Sequence, residues 1–275
     1  MASLRDIKRK IRSIKATRQI MYTMKMVASA RIKKAQNAIV ASRPFAVKME
    51  QLLAELEDEM RGSLAQDTAA WLKPLCEGNT AGPHGLVLVS SDKGMCGPFN
   101  SNIFRQAVPW LRERKGHKIC VFTVGRKARD FLRSLRGLDM EIIKDISGIF
   151  PKAGFAHAEI LGAEVLKTYS EHRLRGVTVI YSEFKSMMSQ KPVQLELLPL
   201  THGQTHPVRG RGYLRDFSFE PGKLEFLKLL VPRYIKAQFY RVLLESQAAE
   251  LAARMNAMEA ASSNAGALID DLTLK

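Results

Sequence analysis

The sequence predicts an α/β protein in which the two chain ends pair as a long antiparallel coiled coil and the middle folds as an α/β domain with a mainly parallel sheet. Three observations carry this. Ser3 to Arg43 contains neither Gly nor Pro and ends against Pro44; Arg233 to Lys275 is interrupted only by Gly266. Between them, short apolar runs alternate with helical stretches of about ten to fifteen residues, the signature of β-α-β units.

In the first run apolar residues recur at Leu4, Ile7, Ile11 and Ile14, then at Ile20, Met24, Val27, Ile32, Ala35 and Ile39. Steps of three and four place them on one stripe of a helix with 3.6 residues per turn. The stripe shifts once, between Ile14 and Ile20, which in heptad terms is a break in register. Its other faces are basic, twelve Lys and Arg against the single Asp6. At ~1.5 Å per residue the run makes a rod of roughly 60 Å, whose stripe needs a partner of similar length. The C-terminal run supplies it through Ile235, Phe239, Val242, Leu243, Ala249, Ala252, Met255, Met258, Ser262, Ala265, Ile269 and Leu272. Its middle is rich in small residues, among them Ala248, Ala249, Ala252, Ala253, Ala257 and Ala260, which let two helix axes approach closely.

Five segments follow: a helix over 1–61, a connector over 62–84, an α/β domain over 85–200, a linker over 201–222 and the closing helix over 223–275. After Pro44 the pattern resumes with Phe45, Met49, Leu52 and Leu56; Ser42 is a candidate N-cap for a new turn, and the residues are compatible with either a kink or a break at Pro44. The connector is rich in Gly and Pro, with a short helical turn expected near Trp71. Gly85 to Ser91, Lys118 to Val124, Val177 to Ser182 and Val193 to Leu198 read as strands, with Met140 to Ile146 a further candidate. Helices are expected after Asn100, over Arg126–Leu135 and over Phe155–Tyr169. Pro232 separates a short helical piece, Leu224 to Leu230, from the long closing helix.

The formal charge of +16 points to nucleic acid, an anionic surface or an acidic protein partner. No apolar run approaches the ~18 residues of a membrane span. The cysteines Cys76, Cys96 and Cys120 are widely spaced, which encodes neither a zinc site nor a disulfide framework, and a reducing compartment follows. The Arg-rich start also looks like a mitochondrial targeting segment, but a removable leader has no reason to carry forty residues of continuous helical stripe. Gly94 and Gly97 lie between a strand and a helix, where anions bind. Their spacing nevertheless fits neither nucleotide fingerprint, and a structural turn is the better reading. The six histidines are scattered; His202 and His206 are four apart, but the Gly and Pro around them deny a shared helix face. No nucleophile sits beside an activating neighbour. A nucleic-acid interface is disfavoured because stacking aromatics are missing from the basic helix, with Tyr22 alone before Phe45.

Three separated motifs resemble the gamma subunit family of F-type ATP synthases. They are Ala2-Ser-Leu-Arg-Asp-Ile7 through Ile14 with Met24-Lys-Met-Val-Ala-Ser29; Ser91-Asp-Lys-Gly-Met-Cys-Gly-Pro-Phe-Asn100; and Leu243-Leu-Glu-Ser246 with Ala252-Ala-Arg-Met-Asn-Ala-Met258. The resemblance spans essentially the whole chain. It implies a non-catalytic rotor shaft that needs no cofactor and binds neither nucleic acid nor the membrane interior. The shaft turns inside a hexamer of alpha and beta subunits, with the epsilon subunit and the ring of c subunits at its base, and couples proton or sodium flow to ATP synthesis or hydrolysis. It further implies that Arg9, Lys10 and Arg12 face the acidic lever of beta, that Met24 and Arg254 are shaft positions used against beta, and that Phe217, Phe219 and Glu220 belong to a foot near the c-ring. A peripheral location on the cytoplasmic face of a bacterial inner membrane follows. The chain departs from the family in lacking the paired cysteines of chloroplast members. The segment beginning Y-N-x-x-R-Q that family members carry past the position of Lys275 has no counterpart, so its bearing contacts do not carry over.

Overall fold

The computed structural model describes residues 4–56, 71, 73–150, 152–200 and 222–274. Two helices of 52 residues dominate it, α1 (Leu4–Glu55) and α6 (Lys223–Leu274). Between them run α2 (Lys73–Glu77), β1 (His84–Val89), α3 (Phe99–Glu113), β2 (Ile119–Val124), α4 (Arg126–Ser134), β3 (Met140–Ile146), α5 (Phe155–Glu171), β4 (Gly176–Phe184) and β5 (Gln190–Leu198). The strand order is β3-β2-β1-β4-β5, with the first four parallel and β5 antiparallel to β4. The expected mainly parallel sheet is therefore present, closed at one edge by a hairpin.

The continuous apolar strands arise because both sheet faces are covered. Val87, Val89, Cys120, Phe122, Val179 and Tyr181 pack on one side with Leu161 and Val165 of α5 and Leu227, Ile235 and Phe239 of α6. Leu86, Leu88, Ile119, Val121 and Ile180 pack on the other with Ile103, Trp110 and Leu111 of α3 and Leu132 of α4. Alternate residues of one strand thus serve two cores, as the pleat requires.

Neither Pro44 nor Pro232 interrupts its helix: the choice between kink and break that the sequence leaves open at Pro44 falls against a break, and the short piece expected before Pro232 is continuous with the long helix. A mid-helix proline loses one hydrogen bond and crowds the preceding turn, at a cost of about 3 kcal/mol. Burial on either side offsets it: Ile39 and Met49 flank Pro44, and Leu230, Val231, Tyr234 and Ile235 flank Pro232. Each buried aliphatic side chain contributes roughly 1.5–3 kcal/mol. Ser42 is not an N-cap; its hydroxyl donates to Ile39 O at 2.9 Å, inside the continuous helix.

The pairing of α1 with α6 also corrects the register. Ile32, Ala35 and Ile39 pack on Leu244, Ala248, Leu251 and Ala252, and Ala28 is buried just beyond. Towards the N-terminus the seam runs through Lys25, Met21, Arg18, Ile14, Ile11 and Ile7, an unbroken alternation of three- and four-residue steps. There is no shift between Ile14 and Ile20. Ile20 (60% exposed) and Val27 (45%) lie off the seam. Two seam positions are cationic and each is matched on α6. Lys25 pairs with Glu259, and the Arg18 guanidinium packs over Gly266, with Cζ 3.4 Å from where a Cβ would stand. The small residues of α6 serve two neighbours rather than one, Ala248 and Ala252 facing α1 while Ala249 and Ala253 face the sheet side.

Candidate functional site

The loop between β1 and α3, Ser90–Pro98, joins four parts of the fold. The Asp92 carboxylate accepts from the backbone N–H of Arg126 at 3.2 Å and of Gly148 at 2.7 Å through Oδ1, and from that of Phe150 at 3.2 Å through Oδ2. It therefore meets the first N–H of α4, where a negative charge also complements the helix dipole, and pins the exit of β3. Asn100 Nδ2 donates to Ser91 Oγ at 2.8 Å and to Cys96 Sγ at 3.3 Å, while Ser91 N–H donates to Asn100 Oδ1 at 3.1 Å. Burial pushes the Cys96 thiol up, so it is an inert packing group. Met95 sits exposed at the tip with φ 61°. These bonds give Ser91, Asp92, Cys96 and Asn100 of this motif structural roles.

The loop in turn rests on α6. Arg254 donates through Nη1 to Gly94 O at 2.9 Å and through Nε to Glu250 Oε1 at 2.9 Å, with Nη2 also on Glu250. Their side chains are only 13% and 6% exposed. Burial pushes the Glu250 carboxyl above the usual range, opposed by Arg254 and assisted by Asp92. On the far side stands α1, and the three elements enclose a cleft of about 240 Å³ lined by Thr23, Met24, Val27, Arg31, Asp92, Lys93, Phe150, Glu250 and Arg254 among others. Met24 and Arg254, expected from sequence to serve one partner, thus line one cleft although 230 positions separate them.

Arg9, Lys10 and Arg12 lie elsewhere, exposed near the free end of the coiled coil, with Arg9 3.7 Å from Asp6. Phe217, Phe219 and Glu220, like His202 and His206, fall outside the described residues. Sequence reasoning missed Glu250 and placed Asp92 in the loop motif without a role, although the two carry most of the polar organisation. Glu250 stands one helical turn before Arg254, a spacing that pairs opposite charges, and that signal was available.

The turn at Gly94–Gly97 is no nucleotide cradle. In a sheet of this order the ligand crevice lies beyond the C-terminal ends of the adjacent strands β1 and β4. Here α6 occupies that place, bonding the β1 loop through Arg254 and the β4–β5 turn through Asn256, which donates to Met187 O at 2.8 Å. Among the described residues no group of three or more His, Cys, Asp or Glu could hold a metal ion, and no helix is long and apolar enough to cross a membrane.

These features define a class, a two-helix stalk rooted in an α/β base. A family model described as ATP synthase matches residues 3–275. The ATP synthase gamma chain of Elusimicrobium minutum is 44% identical over 282 residues, covering 100% of this chain and 92% of that protein. That of Anaeromyxobacter sp. (strain Fw109-5) is 39% identical over 277 residues, with the same coverage. Among solved structures, a chain of the central stalk/c-ring assembly of Tetrahymena thermophila mitochondrial ATP synthase superposes with a TM-score of 0.62 at 25% identity, over 88% of this chain and 99% of that one. A rotor chain of the Euglena gracilis mitochondrial enzyme, at 18% identity and a TM-score of 0.60, covering 98% of this chain and 94% of that one, shares the fold. The chain belongs to the ATP synthase gamma chain family.

Proposed function

We propose that the chain is the non-catalytic central shaft of an ATP synthase, turning inside a hexamer of alpha and beta subunits and coupling ion flow through the c-ring to ATP synthesis or hydrolysis at beta. The observation that carries this reading is the free part of the coiled coil. Beyond the loop contacts, Lys25 meets Glu259 and Arg18 meets Gly266, and the two helices pair with each other alone among the described residues. The outer surface there combines exposed Leu4, Ile20, Tyr22 and Met26 with exposed basic side chains. A rod with apolar and cationic outer faces suits a sleeve that supplies apolar contacts and acidic segments. In this reading Arg9, Lys10 and Arg12 face the acidic lever of beta, the cleft holding Met24 and Arg254 receives a further part of beta, and Phe217, Phe219 and Glu220 contact the c-ring side with the epsilon subunit. The segments 1–61, 62–84, 85–200, 201–222 and 223–275 act as first shaft helix, connector, base, foot and second shaft helix. The complex lies peripherally on the cytoplasmic face of a bacterial inner membrane.

The experiment is reconstitution. Purified alpha and beta subunits are assembled with and without this chain, and a probe on the α/β domain is followed during ATP hydrolysis. Association, accelerated turnover and stepwise unidirectional rotation are expected. A chain that does not enter the hexamer, or enters without rotating, overturns the proposal.

A further inference from the structure

The end of the sheet opposite the cleft carries a cationic cluster for which neither the shaft nor the loop has a use. His84 opens β1, Trp110 and Arg114 lie at the end of α3, His117 precedes β2, and Arg175 precedes β4. The His84 ring stands 5.8 Å from His117 and 6.2 Å from the Trp110 ring, both edge-on. The Arg114 guanidinium covers the other part of Trp110 with Cζ 4.2 Å from its centroid. Arg175 is held beside them by donating to Thr80 O at 2.7 Å through Nη2, while its N–H donates to Pro83 O at 2.8 Å. Among the described residues one carboxylate pairs with the group, the mostly exposed Glu113, 3.3 Å from Arg114 Nη1.

Three features show that this cluster is short of negative charge. The Trp110 Nε1 and Arg114 Nε donors are buried and have no acceptor among the described residues, although a buried N–H left unbonded costs roughly 1–3 kcal/mol. Burial together with Arg114, Arg175 and His117 pushes His84 down to about 4. The surrounding turns add exposed Arg112, Lys115 and Arg173, which form no ion pair among the described residues.

We propose that His84, His117, Arg114 and Arg175, with Trp110 beneath them, form a binding site for a phosphate group. Arg175 already donates through Nε and Nη2 to Thr80 O, and Arg114 through Nη1 to Trp110 O. This leaves one Nη of each guanidinium to make a charge-assisted bond to the oxyanion, and the imidazoles donate once protonated. The bound anion makes protonation of His84 easier, so affinity rises as pH falls, each unit by which the histidine is lifted corresponding to about tenfold in binding. The phosphate has two sources, a free anion or an anionic lipid headgroup, which share this chemistry.

The test uses the full chain with isotope-labelled histidine. His84 is titrated by NMR alone, with inorganic phosphate and with sulfate, whose charge is constant over the range. Sedimentation with phosphatidylglycerol or phosphatidylcholine vesicles forms the second arm. An upward shift of His84 with both inorganic anions identifies a free-anion site, and binding to phosphatidylglycerol vesicles alone identifies a lipid headgroup site. Arg175→Gln, at an exposed side chain, should weaken whichever response is seen by about tenfold, the loss of one charge-assisted hydrogen bond. His84→Gln should abolish its pH dependence. No response in either arm, or an unaltered response in Arg175→Gln with an unchanged unfolding midpoint, overturns the site.

Discussion

Gly125 and Glu250 show how single residues set the terms of the fold. Gly125 has φ 88°, and a Cβ there would stand 2.3 Å from Ser90 O, a backbone atom that β1 cannot yield. Gly125→Ala should therefore destabilise by at least about 2–3 kcal/mol, combining left-handed strain with the clash, read as a lower urea midpoint. Glu250 gives a pH prediction. Its folded carboxyl, raised by burial, keeps its proton to higher pH than in the unfolded chain, where the value is about 4.3. The associated stability is fully present below the unfolded value and is lost as pH rises through the folded one. Denaturation across that acidic window should show stability falling with pH, and Glu250→Gln should flatten the slope; an equal slope in the variant would sink the assignment. Arg254→Met removes the opposing cation and should move the window upward.

At the scale of elements, two glycines on helices predict opposite signs. Gly266 of α6 faces only the flexible tip of Arg18, and an added Cβ would meet Cζ at 3.4 Å, an ordinary contact. Gly266→Ala should stabilise by about 0.5–1 kcal/mol through helix propensity. Gly162 sits where α5 crosses α6, and its Cβ would meet Lys236 Cγ at 3.0 Å and Lys236 Cα at 3.4 Å. Gly162→Ala should lose that gain and destabilise, because backbone as well as side chain must give. Thermal unfolding of the two variants side by side checks the contrast. The heptad seam holds a related lesson. Arg18 and Lys25 were invisible as seam residues because apolar content defined the stripe, which drew Ile20 and Val27 into it instead. A cation enters a seam when the partner helix provides a carboxylate or a gap, here Glu259 and Gly266, and neither is apparent from α1 alone.

For the molecule as a whole, the proposed shaft predicts a separation of folding from coupling. Arg9, Lys10 and Arg12 are exposed and clear of the seam, so changing all three to Glu should shift unfolding by less than about 0.5 kcal/mol per site. In the reconstituted complex the same change should weaken coupling by opposing the acidic lever of beta, with the defect shrinking as salt rises. Undiminished coupling at low salt would remove these residues from the interface. A second whole-molecule prediction concerns Met24, which shares its cleft with Arg254. Met24→Lys places a cation beside Arg31, Lys93 and Arg254, and should disturb coupling far more than it lowers the urea midpoint.

The sequence by itself determined the paired helices, the strand–helix alternation and the family, because apolar period and motif order are local properties of the chain. Met24, Arg254 and the polar loop were legible as residues through the family resemblance. That the first two line one cleft was not, since their proximity depends on α6 crossing the C-terminal end of the sheet. The prolines and the register were decided only by tertiary structure. A helix runs through Pro44 or Pro232 when the burial on both sides outweighs one lost hydrogen bond, and burial is a property of the neighbours. The small residues of α6 make the same point. Sequence marks them as permitting close approach, but only packing assigns Ala248 and Ala252 to α1 and Ala249 and Ala253 to the sheet, because one helix wedged between two partners must be narrow on both sides.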